Sequence, residues 1–533
     1  MTQLQRYGVR GRLLDAVLRS GALKYERYVH VRGASGDALR FADERGLSTG
    51  HVLSPLLYLI ESNDMPEYLR DDITEGLGVT VGDTKFASGH FADDGVGIAT
   101  TVAGMKRLLQ RLDAYMVDAR RTFNVENKGT VIMCFNVPEA EKAALNFTLS
   151  GKHVDIVEQF KYLGTMISSD MRYAGTKVSH APTLSSVTRD AMWRRVSAVL
   201  PTFYTALHAR ELGSRVLRQL ITNVCCAAEY GAGVMVRSVW PRMEVLLNNL
   251  SARALHLPRS TSGIPRDVLF GEWGFMGFEA RAAMHTIRVW DTIMRRPANS
   301  IPRLAWQELV TACEAAGNPS YTLVARVKEV LESVGMLDRF SVGLPRDPDV
   351  PTGYEIGCSP KELLQRREGE VWRMHCAHKR SLRWYERVRT DWPRYQEYLE
   401  HPDKEVNLVR WRLRTGFAAV AEYLGRWNGT PLEERVCQCN GCEHPGVEST
   451  WHMIMECDRW ADRRLALVAS ILGHLGISRF VKNALGNTMQ ASPDLWWRLL
   501  MCAPLPELGE EYVLSWAQLT KRISSRMWDD GVS

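Results

Sequence analysis

A chain of 533 residues with 45% hydrophobic and 24% charged side chains is too long for one ordinary core and too apolar for wholesale disorder, so several folded units are expected. The formal charge of +6 is modest for this length and does not by itself select an acidic partner. No run of about 18 apolar residues is free of charge, and residues 1–20 mix arginines with polar groups, which argues against a membrane partner or signal-peptide core and for an intracellular protein, nuclear or cytoplasmic.

In chain order, Leu13 to Leu18 reads as helical, and Tyr25 to Phe41 alternates around a Gly-Ala-Ser-Gly break, the pattern of a hairpin. A helix opens at Pro55 and runs through Ile60. Between Phe86 and Ile98 two short apolar arms flank an acidic turn, again a hairpin signature. Met105, Leu108, Leu109, Leu112 and Met116 mark one face of an amphipathic helix, and Val125–Phe135 and Phe160–Ile167 read as further strands. Beyond about residue 183 the period turns helical, with Leu212, Val216, Leu217, Leu220, Ile221 and Val224 on one face and a second run from Val245 to Leu257. Val342–Pro360, with Pro345, Pro348, Pro351 and Pro360 among glycines, reads as a linker.

Residues 361–430 hold 15 Lys and Arg against 10 Asp and Glu, a net of +5, together with Trp372, Trp384, Trp392, Trp411 and Trp427. Cations neutralise phosphates and flat rings stack on unpaired bases, so this segment is either a single-strand binding surface or a packed helical domain with arginines on its solvated face.

Cys437, Cys439, Cys442 and Cys457, interleaved with His444 and His452, cluster among the 11 cysteines of the chain. The spacing Cys439-x2-Cys442-x9-His452-x4-Cys457 supplies three thiolates and one imidazole, a set suited to a closed tetrahedral Zn²⁺ site, with Cys437 and His444 as spare candidates.

The string Ser88-Gly89-His90-Phe91-Ala92-Asp93-Asp94-Gly95 puts two adjacent carboxylates in a turn. Two-metal phosphoryl transfer needs carboxylates converging on a pair of divalent cations, and Mg²⁺ takes hard oxygen ligands. Upstream lies Ser48-Thr49-Gly50-His51-Val52-Leu53-Ser54-Pro55. Downstream come Phe123-Asn124-Val125-Glu126-Asn127-Lys128-Gly129 and Phe160-Lys161-Tyr162-Leu163-Gly164. In order and spacing these four segments resemble the palm of reverse transcriptases of non-LTR (LINE-type) retrotransposons. Helices around Leu184–Leu257 look like the thumb and connection of that family, and Leu413-Arg414-Thr415-Gly416 before the cysteine-histidine cluster looks like its C-terminal end.

The resemblance implies an α+β fold: a partial reverse-transcriptase palm, in which helices cover an antiparallel sheet, then a helical thumb and connection, a basic helical region and a small zinc knuckle. The corresponding boundaries are 1–182 for the palm and fingers, 183–341 for thumb and connection, 342–362 for a linker, 363–430 for the basic aromatic region, 431–462 for the CCHC knuckle and 463–533 for a helical tail. It implies Mg²⁺ at Asp93 and Asp94, template and nucleotide contacts at Gly50, Ser54, Pro55 and Phe91, and a primer grip at Tyr162, Leu163 and Gly164. Lys128 would lie near the incoming triphosphate as a proton donor to pyrophosphate. Zn²⁺ would sit at Cys439, Cys442, His452 and Cys457. Expected partners are an RNA template, a DNA primer or target, and deoxynucleoside triphosphates.

The chain departs from the family at Thr49 and His51, where glutamine and cysteine are usual, and at Phe91, where tyrosine is usual. It also begins after the point at which the family carries its first catalytic aspartate. The expected activity is therefore that of an RNA-directed DNA polymerase that is catalytically incomplete, or alternatively of a retrotransposon-derived nucleic-acid-binding protein without catalysis.

Overall fold

A computed structural model of the chain describes residues 2–19, 27–32, 38–43, 51–70, 76–169 apart from 93, 120, 122, 124 and 126–128, and 184–501 apart from 209–211, 235–239, 258–263, 321, 380–381, 390–393, 401–403, 418–419, 440–441, 444–445, 474–482 and 484. The architecture is mixed, predominantly helical with small antiparallel ribbons. It divides into two compact units, Met1–Thr188 with Arg296–Gly317, and Arg189–Arg295 with Asn318–Ser533. Among the described residues no helix is long and apolar enough to cross a membrane.

The first unit opens with helices α1 (Thr2–Arg6) and α2 (Gly11–Arg19), then the hairpin of β1 (Arg27–Arg32) and β2 (Ala38–Asp43), whose register runs from Arg27 opposite Asp43 to Arg32 opposite Ala38. Helices α3 (Ser54–Ser62) and α4 (Met65–Arg70) follow, then ribbons β3 (Val79–Val81) with β4 (Thr84–Phe86) and β5 (Ser88–Phe91) with β6 (Asp94–Gly97). Helix α5 (Val102–Asp118) starts where Thr101 accepts a hydrogen bond from the Gly104 amide at 3.0 Å, satisfying a donor at the helix start. It buries two sides. Leu108 and Tyr115 join Met65, Leu69 and Leu77, while Leu109 joins Ile132, Phe147, Leu149 and Val154. After α6 (Glu139–Ala143) come two more ribbons, β7 (Thr148–Leu149) with β8 (Lys152–His153), and β9 (Gln159–Tyr162) with β10 (Thr165–Ser168).

Two strand expectations change here. Of Val125–Phe135, only Ile132 pairs among the described residues, through one parallel bridge to Ile156, because no neighbouring strand runs alongside to supply a ladder. Phe160–Ile167 is a hairpin rather than one strand. Leu163 and Gly164 both take positive φ, 47° and 77°, which is the two-residue turn whose twist matches that of the flanking strands. The expected palm sheet is likewise not assembled among the described residues: each ribbon pairs only its own two strands.

The second unit holds α7 (Leu184–His208, from Arg189 on), α8 (Ser214–Glu229), α9 (Trp240–Ala254), α10 (Arg266–Trp273) and α11 (Phe278–Met294). Helix α12 (Ile301–Ala315) returns to the first unit, where Leu304 lies against Gly82 of the β3–β4 turn. Helices α13 (Leu323–Ser333), α14 (Pro360–His378), α15 (Arg383–Val388), α16 (Lys404–Thr415), α17 (Ala421–Trp427), α18 (Ala461–Leu472) and α19 (Pro493–Leu500) complete the second unit. The start of α14 is written in its sequence: Ser359 and Glu362 form a reciprocal capping box, with Pro360 in the first turn.

The segment expected as a linker, 342–362, has no helix or strand before Pro360, yet it is tied down. The buried carboxylate of Asp291 in α11 accepts from the Leu344 amide at 3.0 Å and the Tyr354 hydroxyl at 2.9 Å, and is also paired with Arg346. A buried charge must be met by donors, so these residues are held in place.

Among its described residues the basic aromatic segment is a packed helical region, with its tryptophan rings set against other side chains. Trp372 and Trp411 are buried in the main core beside Phe270, Trp273 and Tyr385. Trp384 stacks on Trp451 with centroids 5.3 Å apart, and both rings contact Trp497. Trp392 and the side chain of Trp427 lie outside the described residues. Nor are the arginines all on a solvated face. Arg389 and Arg414 are fully buried around Glu272, the penultimate residue of α10, which is itself fully buried. Arg414 Nε lies 2.9 Å from the Glu272 carboxylate and its Nη2 3.2 Å, and the Tyr398 hydroxyl donates to the same group at 2.5 Å. The backbone here requires glycine: Gly274 caps α10 in the left-handed region at φ 63°, and a Cβ on Gly271 would come within 2.2 Å of the Tyr385 hydroxyl.

Burial alone pushes the Glu272 carboxyl up, but the charges of Arg414 and Arg389 and the hydrogen bonds from Arg414 and Tyr398 outweigh it and hold it below its ordinary range. Its contribution to stability is therefore complete above its ordinary pKa and is lost as pH falls through the lower folded value. Arg414→Met would leave that carboxylate without its closest cation, and about 3–5 kcal/mol of stability should be lost. Urea unfolding followed by tryptophan fluorescence checks this, and a loss of under about 1 kcal/mol, the size of an exposed pair, would show that the cluster is not the anchor it resembles.

Candidate functional site

The cysteine-histidine cluster is built on α17. Arg435 donates to the Glu422 carbonyl at 2.9 Å, the Glu422 amide donates to the Glu448 carbonyl at 3.0 Å, and the Glu448 carboxylate accepts from the Ala421 amide at 2.8 Å. An antiparallel bridge between Val436 and Val447, with the Cys437 amide donating to the Gly446 carbonyl at 3.1 Å, closes a loop that carries Cys437, Cys439 and Cys442 on one side. The other side is a short π-helical turn, His452–Glu456, ending at Cys457. Widened turns of this kind re-aim side chains, and are frequent at functional sites. The Ser449 hydroxyl receives the His452 amide at 3.0 Å, and Arg464 donates to the Cys457 carbonyl at 2.6 Å, so both ends of the turn are held.

Four ligand atoms converge, from Cys437, Cys442, His452 and Cys457, all within 4.8 Å of one another. Cys442 Sγ lies 3.6 Å from His452 Nε2, and Cys437 Sγ lies 3.7 Å from Cys457 Sγ. A tetrahedral Zn²⁺ with Zn–S near 2.3 Å and Zn–N near 2.05 Å sets sulfur–nitrogen edges of about 3.6 Å and sulfur–sulfur edges of about 3.8 Å. The donor set and its spacing therefore fit a metal such as zinc.

Glu456 supplies the outer support, its carboxylate 3.3 Å from His452 Nδ1 and itself receiving the Trp451 indole N–H at 2.7 Å. A proton on Nδ1 leaves Nε2 as the metal-facing lone pair. His452 and Cys457 are buried, 2% and 3% exposed, so a cation there would be shielded from water. Without a cation, burial pushes the Cys457 thiol up to about 12; a divalent charge at the centre reverses that preference by stabilising the thiolate.

The sequence singles out Cys439 where the converging set contains Cys437. The bridge at Val436 explains the difference, because it fixes Cys437 at the mouth of the loop, opposite Cys457, while Cys439 lies two residues further along. Cys439 is nevertheless close, with its sulfur 3.5 Å from that of Cys457. His444 lies outside the described residues. Glu456 went unnoticed in the sequence, although its place four residues after His452 puts the two on one helical face.

The acidic hairpin is the second constellation. Phe91 pairs with Asp94 across the turn, and Ala92 takes φ 52°. Asp94 and Phe91 are exposed. Burial first, and then the Asp94 charge, raise the pKa of the Tyr162 phenol. Tyr162, Leu163 and Gly164 form the end of β9 and the following turn. Ser54 and Pro55 open α3, which packs through Leu57 against Leu4 in a separate apolar cluster. Gly50, Asp93 and Lys128 lie outside the described residues. Among the described residues no group of three or more carboxylates, imidazoles or thiols able to hold a metal forms at the hairpin, so nothing there supports a Mg²⁺ site.

No family model and no curated protein matches the sequence.

Purified protein is expected to carry one Zn²⁺ per chain by elemental analysis, and Cys442→Ser to lose it together with protease resistance in residues 436–460, because metal affinity and local folding are coupled. Stoichiometric zinc in Cys442→Ser would remove this ligand set.

Proposed function

We propose that this chain is a reverse-transcriptase segment of the non-LTR retrotransposon type that engages a primed RNA template, with the cysteine-histidine cluster as its structural zinc knuckle. The observation that carries the reading is the β5–β6 hairpin, whose Phe91–Asp94 pairing puts Asp94 beside the turn, where the resemblance places a metal ligand. The resemblance assigns Asp94 and Tyr162 to one catalytic centre, as metal ligand and primer grip, and after burial the Asp94 charge contributes to the raised pKa of the Tyr162 phenol. Two further features support it. A non-glycine residue in the left-handed region at the hairpin tip is a strained arrangement of the kind that clusters at functional sites, costing of order 1–3 kcal/mol. The zinc ligands also lie in the C-terminal region where the resemblance expects them.

In this reading Asp93 and Asp94 face the primer end with Mg²⁺, and Gly50, Ser54, Pro55 and Phe91 face template and nucleotide. Leu163 and Gly164 continue the primer grip, and Lys128 donates a proton to the leaving pyrophosphate.

One observation favours a second reading, a non-catalytic nucleic-acid-binding protein of the same descent: among the described residues a four-ligand set forms at the cysteine-histidine cluster and none forms at the hairpin.

The two readings separate in one experiment on the zinc-loaded full chain. A labelled DNA primer annealed to RNA is titrated with protein at several salt concentrations, then offered Mg²⁺ or Mn²⁺ and deoxynucleoside triphosphates. Salt-sensitive binding is expected under both. Extension abolished by Asp93→Ala or Asp94→Ala supports the polymerase, and binding with no extension supports the non-catalytic form. Absence of binding at low salt removes both.

A further inference from the structure

The zinc centre contains one thiol more than it needs. Cys437, Cys442, His452 and Cys457 complete a tetrahedral set, yet Cys439 Sγ lies 3.5 Å from Cys457 Sγ, slightly nearer than Cys437 Sγ does at 3.7 Å. Cys439 is only partly buried, whereas Cys457 is buried. An oxidant arriving from solvent therefore reaches Cys439 before Cys457, as it does the partly buried Cys437 and Cys442, and of these three only Cys439 lies outside the four-ligand set. Residues 437–439 lie in neither helix nor strand, so the Cys439 sulfur can close the remaining distance to the roughly 2.05 Å of a disulfide without breaking a ladder or a helical turn there.

We propose that Cys439 is an oxidation site, and that a peroxide drives it to form a disulfide with Cys457, expelling the metal; this rests on the zinc reading of the cluster. The step balances as follows. The Cys439 sulfur attacks one oxygen of hydrogen peroxide, the O–O bond breaks, and a sulfenic acid forms with loss of hydroxide. The Cys457 sulfur then attacks the sulfenic sulfur, the S–S bond forms, and the second oxygen leaves as water once protonated. Two thiols give up two electrons and two protons, and one peroxide becomes two waters. Cys457 thereby ceases to be a thiolate ligand, and two thiolates with one imidazole remain, an open set that holds zinc far less firmly. Reduction by a dithiol returns both thiols, which makes the change reversible.

The test uses the full zinc-loaded chain. Hydrogen peroxide is added, released zinc is read with a chromogenic chelator, and disulfides are mapped by mass spectrometry of peptides. Wild type is expected to release its zinc with a Cys439–Cys457 disulfide, and to regain it after dithiothreitol and added zinc. Cys439→Ser and Cys439→Ala are expected to keep one zinc as purified and to lose the rapid peroxide-driven release. Release from these variants at the wild-type rate, or a mapped disulfide that omits Cys439, overturns the proposal while leaving the zinc centre standing. So does loss of zinc from both variants as purified, because Cys439 would then be a ligand in place of Cys437. Wild type without zinc overturns the reading of the centre itself.

Discussion

The carboxylate of Glu272 has no access to water, and the helical unit closes around that fact. An ionised carboxylate in a dry interior is tolerated only where cations and hydrogen-bond donors surround it. Its partners come from three places distant in sequence: Arg389 after α15, Tyr398 in the turn before α16, and Arg414 near the end of α16. Each must arrive for the others to be affordable. Because Arg414 and Thr415 end α16, the same cluster fixes where the chain turns through Phe417 toward α17, the helix on which the cysteine-histidine loop is mounted. The core ion cluster thus lies upstream of the candidate metal site in the order of structural dependence.

Local features were the more legible part of the sequence. Both acidic and Gly-Ala-Ser-Gly hairpins and the α5 apolar face announce themselves, because alternation and helical period act within a few residues. Long-range organisation was less so. The tryptophans of residues 361–430 look identical, as letters, whether they face solvent or a core, and only the packing of α10 against α14 and α15 decides that Trp372 is interior. The arginines mislead for the same reason: composition counts charge, while the pairing of Arg414 with Glu272 depends on a fold that brings together residues more than a hundred positions apart.

At the candidate site the ligand types were readable and the exact ligand was not. Six potential donors in a short stretch identify a metal-binding segment, but the choice between Cys437 and Cys439 depends on a single bridge, Val436 to Val447, which no spacing rule encodes. The acidic turn was visible as a turn.

The second unit is interrupted: residues 296–317 leave it, contribute α12 to the first unit, and hand the chain back. Neither unit is therefore a continuous stretch of polypeptide. During synthesis the helices up to Arg295 must wait, exposed, until residues beyond Asn318 leave the ribosome, including every partner of Glu272. Gene fragments cut at either crossing would orphan a helix from one unit or split the other. The excursion makes the two units obligate companions in biosynthesis, whatever division of labour they have once folded.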